Sequence, residues 1–151
     1  MMSPIETYRG VVYPWQIDHM DHMNVQFYTA RFYEATWHFF ARFGLTPEYF
    51  DTTHCGMAAV EQHTRYKREL HAGALIFITT QPLEVRPKTL RFVHRMADAE
   101  TGAEVADTEL TGVHMDRIER VSVPFPEEVY ELLRAALEQA VGALAHRWRR
   151  A

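Results

Sequence analysis

The sequence predicts an α+β domain in which an antiparallel sheet wraps one long apolar helix, with a further helix at the C-terminus. Three features carry this expectation. The run from Val25 to Phe43 is apolar around much of its circumference, so a helix there must be enclosed. Four β-rich segments follow it in close succession. Their separators are short and turn-like, which makes sequential strands antiparallel neighbours.

The first strand is expected between Tyr8 and Ile17, where Tyr, Val, Trp and Ile crowd together and Pro14 marks an edge or an irregularity. The polar stretch from Asp18 to Asn24 follows. Asn24 suits the N-cap of the long helix, and Gly44 suits the position just past its end. Tyr28, Phe32, Ala35, Phe39 and Phe43 form one stripe, and Tyr33, Trp37 and Phe40 widen it. The later strands span Gly56 to Arg68, Ala74 to Arg86, Lys88 to Ala97 and Glu104 to Asp116. Pro82 predicts a bulge in the second of these. Leu90, Phe92, His94 and Met96 alternate with Arg91, Val93 and Arg95, the pattern of a half-buried strand.

The C-terminal helix is expected at about residues 126–148, opening on Pro124-Phe125-Pro126-Glu127-Glu128. Its apolar stripe is Val129, Leu133, Ala136, Leu137, Ala140 and Leu144, and His146, Arg147, Arg149 and Arg150 close it. One helix cannot cover both faces of a sheet. The other face is left to solvent, the C-terminal helix or a second protomer, and an uncovered apolar face would favour association.

The chain has 151 residues, the size of one domain. A hydrophobic fraction of 47% and a charged fraction of 24% are those of a globular protein. Net charge is −4, which supplies no field for gathering nucleic acid. The start lacks a charged region followed by an apolar run, and no stretch reaches the roughly 18 apolar residues of a membrane span. The expected address is the cytoplasm.

Several chemistries are disfavoured. Ser3 and Ser122 are the only serines, and neither sits in a G-x-S-x-G elbow. Cys55 is the lone cysteine, which excludes an internal disulfide, and lone cysteines are usually small buried hydrophobes. The cluster Asp18-His19-Met20-Asp21-His22 holds donors for a divalent metal, but adjacent residues seldom converge on one ion and no H-e-x-x-H motif accompanies them. On composition alone, Asp18 and Asp21 would simply solvate a loop before a helix.

The stretch from Trp15 to Tyr28 resembles the opening of hotdog-fold acyl-CoA thioesterases of the 4-hydroxybenzoyl-CoA thioesterase-like group. In that family a strand ends in a catalytic aspartate, followed by a glycine, a histidine, an asparagine at the helix start and a tyrosine on the helix. Asp18, His22, Asn24 and Tyr28 occupy these places, except that Asp21 stands for the glycine and Val25 for a second asparagine. The likeness continues through Tyr66 to Gly73, Lys88 to Phe92 and Asp116-Arg117 with Pro124, covering roughly residues 8–126.

The resemblance implies a single hotdog thioesterase domain over residues 1–151 that hydrolyses an acyl-CoA thioester. It casts Asp18 as nucleophile or general base, with the Val25 backbone N–H donating to the oxyanion at the helix start. His22 is either an orienting or a structural imidazole. Asn24 is a cap or a substrate contact, and Tyr28 a packed core residue with its hydroxyl bonded. Coenzyme A phosphates call for a basic rim, drawn from Arg65, Lys67, Arg68, Arg86, Lys88 and Arg91, with Lys88 and Arg91 foremost. His63 is expected in the core or facing the acyl pocket. The implied assembly is a homodimer or homotetramer, and no cofactor or metal is called for. The alternative is a non-hydrolytic acyl-CoA-binding or scaffold protein on the same fold. Asp21 would also suit a cationic acyl group such as a betaine.

Overall fold

Asn24 starts the central helix, its side-chain oxygen accepting the Gln26 N–H at 3.0 Å. This helix, α1, runs Val25–Ala41 in a computed structural model that describes residues 4–149, with side chains described through residue 143. It ends two residues before the expected Phe43, and Gly44 closes it with a φ of +83°, a conformation that a side chain would strain. Tyr28, Phe32, Ala35, Phe39 and Phe43 are all buried, as the stripe requires. Tyr33 departs from the expected enclosure and is 63% exposed, because it borders an open seam described below.

The remaining elements are β1 (Ile5–Val11), a 3-10 turn (Pro14–Gln16), α2 (Pro47–Thr53), β2 (Cys55–Tyr66), β3 (Leu75–Val85), β4 (Thr89–Asp98), β5 (Glu104–Asp116), β6 (Val121–Ser122) and α3 (Glu127–Arg149). The first strand is shorter and earlier than expected, since Pro14 opens the 3-10 turn instead of sitting in an edge strand. Helix α2 is the one helix that hydrophobic pattern did not indicate. Its signal is local: the Thr46 hydroxyl accepts the Tyr49 N–H at 3.1 Å, with Pro47 at the first helical position.

The strands form one antiparallel sheet in the order β1-β3-β4-β5-β2, with β6 on β5. The expectation that sequential strands are neighbours therefore fails for β2 and β3. Residues 67–74 carry the chain from one edge across the start of α1, where Leu70 is buried and its carbonyl accepts the Met23 N–H at 2.8 Å. A register shift between Pro82 and Glu84 marks the predicted bulge.

Inward-facing Phe92 packs against Phe39 and Phe40 of α1, with ring centroids 5.3 and 5.7 Å apart. Helix α3 lies on this same side, its Val129 and Leu133 sharing a core with Phe39, Phe43, Val85 and Leu90. The side chains of Leu144, His146, Arg147, Arg149 and Arg150 lie outside the described residues. The outer face is laced with charge: Arg91 meets Glu109 at 3.5 Å, and Lys67 meets Asp107 at 2.9 Å. It is not the apolar face expected to drive association. The chain thus has the α+β hotdog architecture, a curled antiparallel sheet around a central helix with an extra C-terminal helix.

Candidate active site

The segment between the 3-10 turn and α1 is a tight loop closed by a bridge between Ile17 and Met23. Asp18 donates its N–H to the His22 carbonyl at 3.1 Å, and its own carbonyl accepts the Asp21 N–H at 3.0 Å. Asp21 pays for this closure with a φ of +64°. That left-handed conformation explains why glycine suits the position, and aspartate is among the side chains that tolerate it best.

Both carboxylate oxygens of Asp18 are held. Oδ1 accepts the Met20 N–H at 2.9 Å, and Oδ2 accepts the Asn24 side-chain amide at 2.7 Å. These bonds, the Met20 N–H foremost, then Asn24 and the nearby His19 and His22, hold the Asp18 carboxyl below its ordinary value of 3.8. Asn24 works at both ends, since its oxygen caps α1 while its amide pins Asp18. Its backbone is fixed in turn by a bond to the Gln16 carbonyl at 2.9 Å.

Val25 is the first residue of α1, so its N–H has no acceptor within the helix. Among the described residues it donates to none. No acidic side chain occupies the first turn, which leaves the positive end of the helix available to an anion. Beside it lies a recess of about 240 Å³ lined by His22, Val25, Tyr28, Tyr66, Arg68 and Glu69, among others. Asp18 is not part of that lining, and meets the helix start through Asn24. The His22 ring Nδ1 lies 3.4 Å from the Met23 carbonyl. Tyr28 is buried, and its hydroxyl donates to the Arg68 carbonyl at 3.3 Å. Burial pushes that hydroxyl up to about 12, so it stays protonated.

Farther along the same seam, between α1 and the edge strand β2, a second cavity of about 380 Å³ opens. Thr29, Tyr33, Trp37, Phe50, Met57 and Phe92 are among its walls. Sequence reasoning named neither cavity. Only the placement of β2 opposite α1 creates the second.

The chain carries the match to its family model over residues 12–133, described as the thioesterase-like superfamily. The chain belongs to the thioesterase-like superfamily. Its class is therefore that of thioester-hydrolysing enzymes. The betainyl-CoA thioesterase of Pseudomonas aeruginosa is 28% identical over 138 residues, covering 91% of this chain and 87% of that protein. An L-carnitine dehydrogenase/betainyl-CoA thioesterase of Rhizobium meliloti (strain 1021) is 29% identical over 122 residues. That match covers 81% of this chain but only 24% of the longer protein. A hypothetical protein from Staphylococcus aureus, solved in complex with CoA, superposes with a TM-score of 0.83 at 21% identity, covering 91% of this chain and 87% of the other.

The loop of this thioesterase-like chain brings Asp18, His22, Asn24 and Val25 together, but not the two foremost basic residues. Arg91 lies on the outer face, engaged by Glu84 and Glu109. Lys88 is exposed at the β3–β4 turn, where its carbonyl accepts the His114 N–H at 2.8 Å. Arg65 and Lys67 pair with Asp107, and Arg86 with Glu84. Arg68 borders the recess and has no ion pair among the described residues. His63 is neither core nor pocket. It pairs with Glu109 in the ladder between inward-facing Gln62 and Thr64, so it points outward and is exposed. No helix among the described residues is long and apolar enough to cross a membrane.

Proposed function

We propose that this chain hydrolyses an acyl-CoA thioester at the Asp18 loop, with the Val25 N–H as oxyanion donor. The observation that carries the reading is the double role of Asn24, whose one side chain caps α1 and holds the Asp18 carboxylate. A carboxylate and an unpaired helix-start amide so coupled supply what thioester cleavage needs, an attacking oxygen and a donor for the developing negative charge. The names of the two curated relatives, both betainyl-CoA thioesterases, support the CoA thioester as substrate.

Two routes use the same groups. In one, an Asp18 oxygen attacks the carbonyl carbon, the C–S bond breaks, and CoA leaves as thiolate, giving an acyl–Asp18 mixed anhydride that water then hydrolyses. In the other, Asp18 takes a proton from water as that water attacks, and the thiolate is protonated on leaving. In both, the carbonyl oxygen gains charge that the Val25 N–H stabilises with the helix dipole behind it. His22 orients the acyl group or the water, and Arg68, which borders the recess with no ion pair among the described residues, meets the CoA phosphates. The working unit is a homodimer or homotetramer joined at β2, whose backbone forms a sheet edge and whose Val60 is 62% exposed.

The test is thiol release from a panel of acyl-CoAs that begins with betainyl-CoA. The expected result is catalytic release of CoA from at least one of them, whereas tight binding without release over hours would reject hydrolysis. Single turnover in labelled water then separates the routes. Label on the Asp18 carboxylate identifies direct attack, and label in the released acid alone excludes an anhydride opened at the Asp18 carbon.

A further inference from the structure

His71 has no part in the chemistry just described, yet its ring Nδ1 stands 3.1 Å from the carbonyl of Asp21, inside the Asp18 loop. On the reading that Asp18 and the Val25 N–H form the reaction centre, we propose that His71 is a positioning residue. Through this one bond it holds the loop, and with it the Asp18 carboxylate, in working geometry.

The bonds that run out from Asp18 end at Asp21. The Asp18 carbonyl accepts the Asp21 N–H at 3.0 Å, and the Asp21 carbonyl accepts from the His71 ring and from no other donor among the described residues. Asp21 is also the loop residue in the left-handed region, at a φ of +64°. Such a residue relaxes toward negative φ unless its surroundings hold it, and relaxation would draw its N–H off the Asp18 carbonyl. A carbonyl only accepts, so Nδ1 carries the proton, in the neutral ring or in the charged one. The Glu69 carboxylate lies 3.9 Å from the ring Nε2, too far for a hydrogen bond, so the Asp21 carbonyl is the anchor of the ring.

The backbone that carries His71 is fixed on both sides. Before it, Leu70 is buried and its carbonyl accepts the Met23 N–H at 2.8 Å, while the Arg68 carbonyl accepts the Tyr28 hydroxyl at 3.3 Å. After it, the Gly73 N–H donates to the Val12 carbonyl at 2.8 Å. His71 itself opens the turn that closes the link, its carbonyl accepting the Ala74 N–H at 3.1 Å. Gly73 stands third in that turn with a φ of +87°, the positive φ that a type II turn requires there. The ring therefore offers its donor from a set place.

Stability and catalysis feel this bond differently. The His71 side chain is 68% exposed, so the bond adds little to folding and truncation of the ring leaves no cavity. Rate is more sensitive, because a displacement of about 1 Å at a reacting group lowers it roughly a hundredfold. A loop without its anchor holds the working geometry for only part of the time. Substrate affinity is spared, since His71 does not line the recess beside Val25. The loss belongs to kcat.

The experiment measures kcat and KM for an acyl-CoA that the wild type hydrolyses, affinity for S-ethyl-CoA, a thioether that resists cleavage, and the urea midpoint. The variants are His71→Ala and His71→Asn, whose side-chain amide nitrogen falls near the place of Nδ1 and donates as it does. His71→Ala is expected to lower kcat by about tenfold or more, with KM, thioether affinity and urea midpoint unchanged, and His71→Asn to recover kcat to within about threefold of the wild type. Wild-type kcat in His71→Ala, an equal loss in both variants, or a loss carried by KM or by the urea midpoint overturns the proposal while thioester hydrolysis stands. If the wild type hydrolyses no acyl-CoA, the reading of Asp18 fails instead. The hold on the loop is then decided by hydrogen exchange of the Asp21 N–H. Faster exchange in His71→Ala that His71→Asn reverses sustains it, and unchanged exchange overturns it.

Discussion

Asp18 receives one backbone and one side-chain hydrogen bond, and each favours its charged form. Removing the Asn24 amide should therefore raise the Asp18 pKa. If ionised Asp18 is required, the acid limb of kcat/KM lies below the ordinary 3.8 in the wild type and moves upward in Asn24→Ala. A pH–rate profile checks this, and an unmoved limb would separate Asp18 from the rate. The same shift has a stability consequence. A carboxyl whose folded value is depressed stabilises the fold above its unfolded value and loses that contribution as pH falls through the folded one. At Asp21 the backbone decides: Asp21→Gly should leave thermal stability unchanged or raised, whereas Asp21→Ala should cost about 1 kcal/mol, measured by urea unfolding. Asp18, Asn24 and the helix start at Val25 were legible because they sit within eight consecutive residues. His63 was not, because the inward or outward sense of a strand residue depends on bulges, and β2 has a register shift between Ala59 and Glu61.

Helix α1 and the strands beneath it form the support on which that loop depends. Phe92 is fully enclosed between Phe39, Phe40 and the His94 ring. Phe92→Ala should cost about 3–5 kcal/mol of unfolding free energy, read from denaturant midpoints. Buried His94 joins the same two elements. The Thr36 hydroxyl donates to the Phe32 carbonyl, so it accepts from His94 Nε2 at 2.8 Å, while Thr80 donates to Nδ1 at 2.6 Å. Burial drops the His94 pKa to about 3. The unfolded chain takes up a proton below its ordinary 6.5 that the folded chain refuses. Stability is thus complete above 6.5 and erodes as pH falls from there toward 3. Comparing urea midpoints at about pH 7.5 and 5 measures the slope, which His94→Gln should flatten. The two long helices and the strands β2 to β5 were legible from period and turn chemistry, whereas α2 and β6 were not. The strand order in the sheet was not legible, because the eight-residue link 67–74 looks like a turn in sequence yet crosses the start of α1 to reach β3, three places away in the sheet and beside β1.

At the scale of the molecule, the edge strand β2 is the surface most suited to a second copy. It leaves a row of backbone groups and Val60 to solvent, and both cavities open beside it. The outer face, with its ion pairs, is suited to water. A lysine at an exposed edge position opposes strand pairing, so Val60→Lys should abolish the proposed β2-joined oligomer in sedimentation, leaving a monomer, without altering thermal unfolding of the chain by more than about 0.5 kcal/mol. On the proposed reading, the Asp18 carboxylate, tied through Asn24 to the start of α1, cleaves the thioester. Thiol release by Asp18→Asn tests this, with binding of an S-alkyl-CoA thioether measured alongside. The expected variant is folded, binds the thioether as the wild type does and has lost turnover by orders of magnitude, whereas wild-type turnover would remove Asp18 from the reaction.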